Sequence, residues 1–146
     1  MATTTATQQP MQLRLVTPVE TLFDHAVKQV VVPTDVGQIT VLPHHTYLVS
    51  IVAPGELVVT DEAGKTFPVA VAGGVLEVFD NTVLVLADSA EHAEKIDLEA
   101  AEAEAAALAK QLEAKETVDM AGYAALQQQL AWHEARIALS KKWRKK

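Results

Sequence analysis

The sequence has 146 residues, 49% of them apolar and 21% charged, with a formal net charge of −7. That length holds one β domain and a short second unit. The acidic balance argues against nucleic acid as a general partner, the lack of Cys excludes disulfides, thiolate metal sites and a Cys nucleophile, and no apolar run is long enough to span a bilayer.

Residues 1–10 lack the basic start and apolar core of a signal peptide and the arginines of a transit peptide, so they read as a disordered tail. From Met11 the chain reads as short strands and turns. Gln12–Thr17 alternates and ends at Pro18. Thr21–Phe23 is a second short run, and Val27–Val32 a third, closed by Pro33. Thr34-Asp35-Val36-Gly37 is a turn before Gln38–Leu42, and Pro43-His44-His45 interrupts again. Tyr47–Val52 leads to Pro54-Gly55, a strong turn signal. Leu57–Thr60 and Thr66–Val71 flank Asp61-Glu62-Ala63-Gly64-Lys65, a hairpin with Gly at its positive-φ position. Gly73-Gly74 opens Val75–Phe79, and Asp80-Asn81 turns into Thr82–Ala87. Many short β runs with no helical pattern between them predict a sandwich or barrel, not a parallel βαβ fold.

Between Leu86 and Leu98 the period changes from two to about 3.6. Residues 89–96 read as a polar connector without Gly or Pro, so the β domain covers 11–88 and a helical unit covers 97–146. Asp97 caps a helix whose stripe is Leu98, Ala101, Ala105, Leu108 and Leu112. Lys115–Asp119 is a break, and Thr117 or Asp119 caps a second helix with Tyr123, Leu126, Leu130, His133 and Ile137 on one face. A short link between two such helices predicts an antiparallel αα-hairpin. The first helix is acidic. The second ends in Arg136, Lys141, Lys142, Arg144, Lys145 and Lys146 around Trp143. That end reads as a solvated helix C-terminus, then as a surface for an acidic protein partner, then as a nucleic-acid or lipid contact.

No active site emerges. Gly73-Gly74 opens a strand and lacks the helix and Lys of a phosphate loop. His44 and His45 are adjacent, and neighbours on a strand point to opposite faces. Nothing in the sequence gathers His25, His92 and His133. Glu77 has no second carboxylate at useful spacing, and Ser50, Ser89 and Ser140 lack nucleophile-elbow glycines. No cofactor or metal is expected.

With these residues in place, Gln12–Lys142 resembles the epsilon chains of the bacterial rotary ATP synthases, the delta/epsilon family. The resemblance lies in Val31-Val32-Pro33-Thr34, Gly37 through Leu42-Pro43-His44-His45, Pro54-Gly55, Gly73-Gly74-Val75-Leu76-Glu77-Val78 and Val83–Asp88, in this order and before a helical hairpin. It implies a sandwich of two five-stranded sheets and a non-catalytic place in the central stalk, peripheral on the cytoplasmic face of the bacterial inner membrane. Implied partners are the gamma subunit, the membrane c-ring and, when the hairpin extends, the alpha/beta head. In many members the extended hairpin brakes ATP hydrolysis. The interface positions implied are Gln38, Leu42, His44 and His45 on the sandwich and Tyr123, Leu130, Arg136, Lys141 and Lys142 on the second helix.

This chain departs from the family at several places. Gln38 stands where an acidic residue is usual, Thr40 and His44 where Gly is usual, and Ala53 where Lys is usual. The nucleotide-binding run Ile/Leu-Asp-x-x-Arg-Ala of some members is Ile96-Asp97-Leu98-Glu99-Ala100-Ala101 here, without its arginine. The competing reading is a free-standing sandwich-and-hairpin adaptor unrelated to rotary ATPases.

Overall fold

The structure is a computed structural model and describes residues 9–114 and 120–144. The expected tail up to residue 8, the break at 115–119 with its candidate caps, and the last two lysines lie outside the described residues.

Among the described residues, nine strands form one hydrogen-bonded network: β1 Met11–Val16, β2 Thr21–Thr34, β3 Gly37–Val41, β4 Leu48–Val52, β5 Gly55–Asp61, β6 Thr66–Val71, β7 Gly74–Phe79, β8 Thr82–Ala87 and β9 Ala90–His92. The long β2 belongs to two layers. Its first half pairs with β1, which continues through β8 and β7 to β4. Its second half lies between β3 and β5, and β5 continues through β6 to β9. With β2 counted in both, each layer has five strands. β1 and β8 run parallel, so the pairing is mixed.

Alternation places Met11, Leu13, Leu15, Val30, Val32, Val83 and Val85 in a fully buried core shared by the layers. The core is aliphatic except for Phe23. Gly74 has φ +145°, and a Cβ there would lie 2.0 Å from the Leu86 carbonyl oxygen. The glycine is therefore needed for the close passage of β7 against β8.

Two readings of the sequence are corrected. Thr21–Phe23 and Val27–Val32 are one strand, because Asp24 and His25 face solvent while Phe23 and Val27 stay in the core. Pro33 does not close it, since Pro33 only accepts there, from the Ala53 N–H at 3.0 Å. The segment read as a connector contains β9, paired with β6, and a 3₁₀ turn, Ala93–Lys95.

Helix α1 spans Leu98–Glu113, and the Asp97 carboxylate accepts the Ala100 N–H at 3.1 Å as its cap. Helix α2 spans Met120–Arg144. Glu104 meets His133 and Arg136 while Glu102 meets Lys141, so the helices run antiparallel. α2 rests on β5, β6 and the 3₁₀ turn. β6 is consequently buried on both faces: Val69 and Val71 enter the sandwich core, and Ala70 lies under Leu139 of α2 with Ala93 and Ile96. This explains the unbroken apolar run Pro68–Val71.

Candidate partner surfaces

Three surfaces carry the residues of interest. The first is the outer face of the layer β4–β7–β8–β1. Strand register places Ile51, Val75, Leu86 and Val16 in one row across four strands. Ile51, Val75 and Leu86 are 60%, 44% and 50% exposed. The next row is Val49, Glu77, Leu84 and Arg14, so Glu77 stands half-buried on an apolar outer face with no second carboxylate in its row. Exposed Tyr47 and Phe79 extend the face toward one end of the sandwich. The sequence showed each strand as apolar. It did not show that the outward residues of four strands align in rows.

The second surface is the turn at that end. Asp80 and Asn81 have φ of 46° and 57°, the signature of a two-residue hairpin turn that matches strand twist. Asn81 organises three segments. Its side-chain oxygen accepts the His44 N–H at 2.9 Å, its amide donates to the carbonyls of Gln9 and Pro10, both at 3.3 Å, and its own carbonyl accepts from Gln12 N. His44 has φ 63°, the left-handed region that favours glycine. His45 donates from Nδ1 to the Thr46 carbonyl at 2.7 Å. Leu42, His44 and His45 thus share this end of the sandwich. Gln38 does not. It sits at the opposite end of β3 beside the β2–β3 turn, about 13 Å away by strand rise. There Thr34 Oγ1 donates to the Gly37 carbonyl.

The third surface is α2. Leu130 is half-buried and Tyr123 is exposed. Arg136 is 11% exposed, with Nε 2.8 Å from Glu91 and Nη1 3.3 Å from Glu104. Lys142 pairs with Glu56 at 3.0 Å, and Lys141 reaches Glu102 at 3.5 Å. In this folded-down state the cationic side chains are turned toward the protein's own carboxylates. A second stripe, Trp132, Arg136, Leu139 and Trp143, lies one residue around the helix from the predicted one and faces the sandwich.

The histidines come together in part. His25 and His92 both lie against the Phe23 ring, at centroid distances of 5.2 Å and 5.1 Å. Burial lowers the His92 pKa, Lys95 lowers it further, and Glu20 and Glu94 oppose the shift. His133 is elsewhere, 3.0 Å from Glu104. Among the described residues no three His, Asp or Glu side chains form a group able to hold a metal ion, and no helix is long and apolar enough to cross a membrane.

Comparison with known proteins follows the same division of the chain. The family described as "ATP synthase, Delta/Epsilon chain, beta-sandwich domain" matches residues 10–93. The ATP synthase epsilon chain of Pelotomaculum thermopropionicum is 45% identical over 92 residues, covering 63% of this chain and 68% of that one. The epsilon chain of Desulfitobacterium hafniense is 38% identical over 108 residues, 74% of this chain and 81% of that one. A chain in the structure of the Euglena gracilis mitochondrial ATP synthase superposes with a TM-score of 0.71 at 29% identity, covering 88% of this chain and 80% of its own. A chain of the Tetrahymena thermophila central stalk and ring shares the fold, with a TM-score of 0.63 at 15% identity. Sandwich, ordered loops and docked helices therefore have one explanation: the chain belongs to the ATP synthase delta/epsilon family.

Proposed function

We propose that the chain is the non-catalytic epsilon subunit in the central stalk of a rotary ATP synthase, where it links the ring to the rotating shaft. One observation carries this reading beyond family membership: the outer row Ile51–Val75–Leu86–Val16, an apolar sheet face left open although the sandwich core is filled. Such a face fits a large protein neighbour. We assign it to the gamma subunit. The Leu42–His45 turn at the end of the sandwich is polar, presented on a rigid scaffold, and assigned to the ring loops. In this reading the protein is held at the cytoplasmic membrane surface by its partners; among the described residues no helix is long and apolar enough to cross a membrane.

The hairpin supplies regulation in the same reading. Docked, it occupies its own sandwich. Released, α2 offers Arg136, Lys141 and Lys142 beside an apolar stripe to an acidic site on the catalytic head. The two states compete for the same charges.

The experiment is affinity purification of the tagged chain from solubilised membranes. Recovery with gamma, the ring and the head is expected. Recovery of the chain alone would return the free-standing adaptor.

A further inference from the structure

The dock between α2 and the sandwich is weakly packed. Leu139 is the buried apolar side chain that α2 places there, among Ala70, Ala93 and Ile96, with Trp132 and Trp143 partly buried at its sides. A half-open cleft of about 560 Å³ lies at the distal end, lined by Phe67, Pro68, His92 and Lys95 of the sandwich and Trp143 of the helix. Beside Leu139, Ser140 is 1% exposed, and its hydroxyl has no hydrogen-bond partner among the described residues. A buried hydroxyl without a partner opposes the state that buries it. The walls of the cleft meet solvent, so they add no buried contact between helix and sandwich.

Charge offsets these defects. Arg136 ties three elements: its own helix, β9 through Glu91 and α1 through Glu104. Its guanidinium lies 5.7 Å from the Trp132 ring, and His133 Nδ1 stands 3.0 Å from the same Glu104 oxygen. The pairs made by Lys141 and Lys142 have lysine side chains more than half exposed, 55% and 56%, so solvent screens them. The Arg136 side chain is 11% exposed and Glu91 26%, so that pair is sheltered and charge-assisted, while Glu104, 53% exposed, adds a more solvated contact to the same guanidinium.

We infer that Arg136 is the latch of the folded hairpin and Ser140 its built-in weakness, so that α2 is held to the sandwich by one sheltered ion-pair network more than by buried area. Docking then depends on a single side chain. Any event that draws Arg136 away from Glu91 and Glu104 frees the distal helix as a unit. This inference rests on the docked geometry alone. A failure of the braking role would appear in ATP hydrolysis and leave the docking measurements below unchanged.

The test uses the chain's lack of cysteine. Ser140→Cys places one thiol under the docked helix, and its rate of modification, relative to the same thiol in denaturant, reads the open fraction even when opening is rare. Adding Arg136→Gln is expected to speed labelling on the order of tenfold or more. Glu91→Gln should speed it comparably, and the two together should be far from additive. Arg136→Lys should recover only part of the protection, because an ammonium cannot hold both carboxylates in the geometry of a guanidinium fork. For the opposing role, Ala70→Cys carries the thiol on the sandwich side, and Ser140→Ala should slow its labelling about threefold or more. Far-ultraviolet dichroism and the melting of the sandwich verify that each variant is folded. Unchanged labelling in Arg136→Gln, additive effects of Arg136 and Glu91, or faster labelling in Ser140→Ala overturns the inference.

Discussion

The side-chain oxygen of Asn81 accepts the backbone N–H of His44 at 2.9 Å, pinning the Leu42–His45 turn to the β7–β8 hairpin. The pinned residue is strained, with φ 63° at a side chain larger than glycine. His44→Gly should therefore stabilise the chain by roughly 1 kcal/mol by removing left-handed strain. Asn81→Ala should cost about 1 kcal/mol, since it exchanges the His44 N–H bond for water and puts alanine at positive φ. Thermal or denaturant melting of the two variants measures both effects. Opposite signs are the expected outcome.

The apolar row gives the second prediction. Ile51 faces outward opposite Val75, so Ile51→Asp removes no core contact. Melting should change by less than about 1 kcal/mol. Recovery of gamma in affinity purification should fall sharply. Wild-type recovery with Ile51→Asp would move the gamma contact elsewhere.

Acid should loosen the junction between sandwich and hairpin. The His92 pKa is lowered in the fold from its ordinary 6.5, mainly by burial. Below 6.5 the unfolded chain binds more protons at this site than the folded chain does, so stability rises with pH across the window down to the lowered pKa. The contribution is complete above 6.5 and is lost as pH falls through the folded-state value. His92→Gln should flatten this dependence. Melting temperature followed from about pH 7.5 to pH 5 tests the sign. Stabilisation of the wild-type chain relative to His92→Gln on acidification would contradict it.

Nucleotide binding should be weak. Phosphate needs a cation or a dense donor nest. Ala100 stands where nucleotide-binding relatives carry arginine, and the Ala100 N–H is already given to Asp97. Arg136, which pairs with Glu104 of α1, is held by Glu91 and Glu104. Calorimetry of the isolated chain with magnesium and ATP should show no binding in the micromolar range. A micromolar constant would mean that Arg136 gives up its carboxylates to phosphate.

Removing the chain from Trp132 onward tests the brake in the assembled enzyme. That deletion discards Arg136, Lys141, Lys142 and the stripe that rests on the sandwich. ATP hydrolysis should rise several-fold while synthesis is largely kept. In the intact enzyme, salt should weaken the inhibition, because the competing contacts are ionic. Hydrolysis unchanged at low and high salt would leave the hairpin with a structural role alone.

The sequence determined the local features, because each depends on residues close in the chain. Period-two alternation marked Gln12–Thr17 as a strand, and its Leu13 and Leu15 are buried. Asp80-Asn81 and Gly64 marked turns, Asp97 marked a helix start, and the change of period after Leu86 separated strands from helices. The ordered loops carried the family. Tertiary structure decided what depends on distant partners. It joined β2 through Asp24, His25 and Pro33, paired β1 parallel with β8, and made β9 from residues that read as a connector. It also gave α2 a second face. Periodicity selects one stripe when a helix buries one side, but α2 lies between α1 and the sandwich, so Trp132, Leu139 and Trp143 are covered as well. The charges were legible as a basic end and an acidic helix. Only the antiparallel fold of α1 against α2, resting on β9, brought Arg136 to Glu91 and Glu104 across 45 and 32 residues of chain.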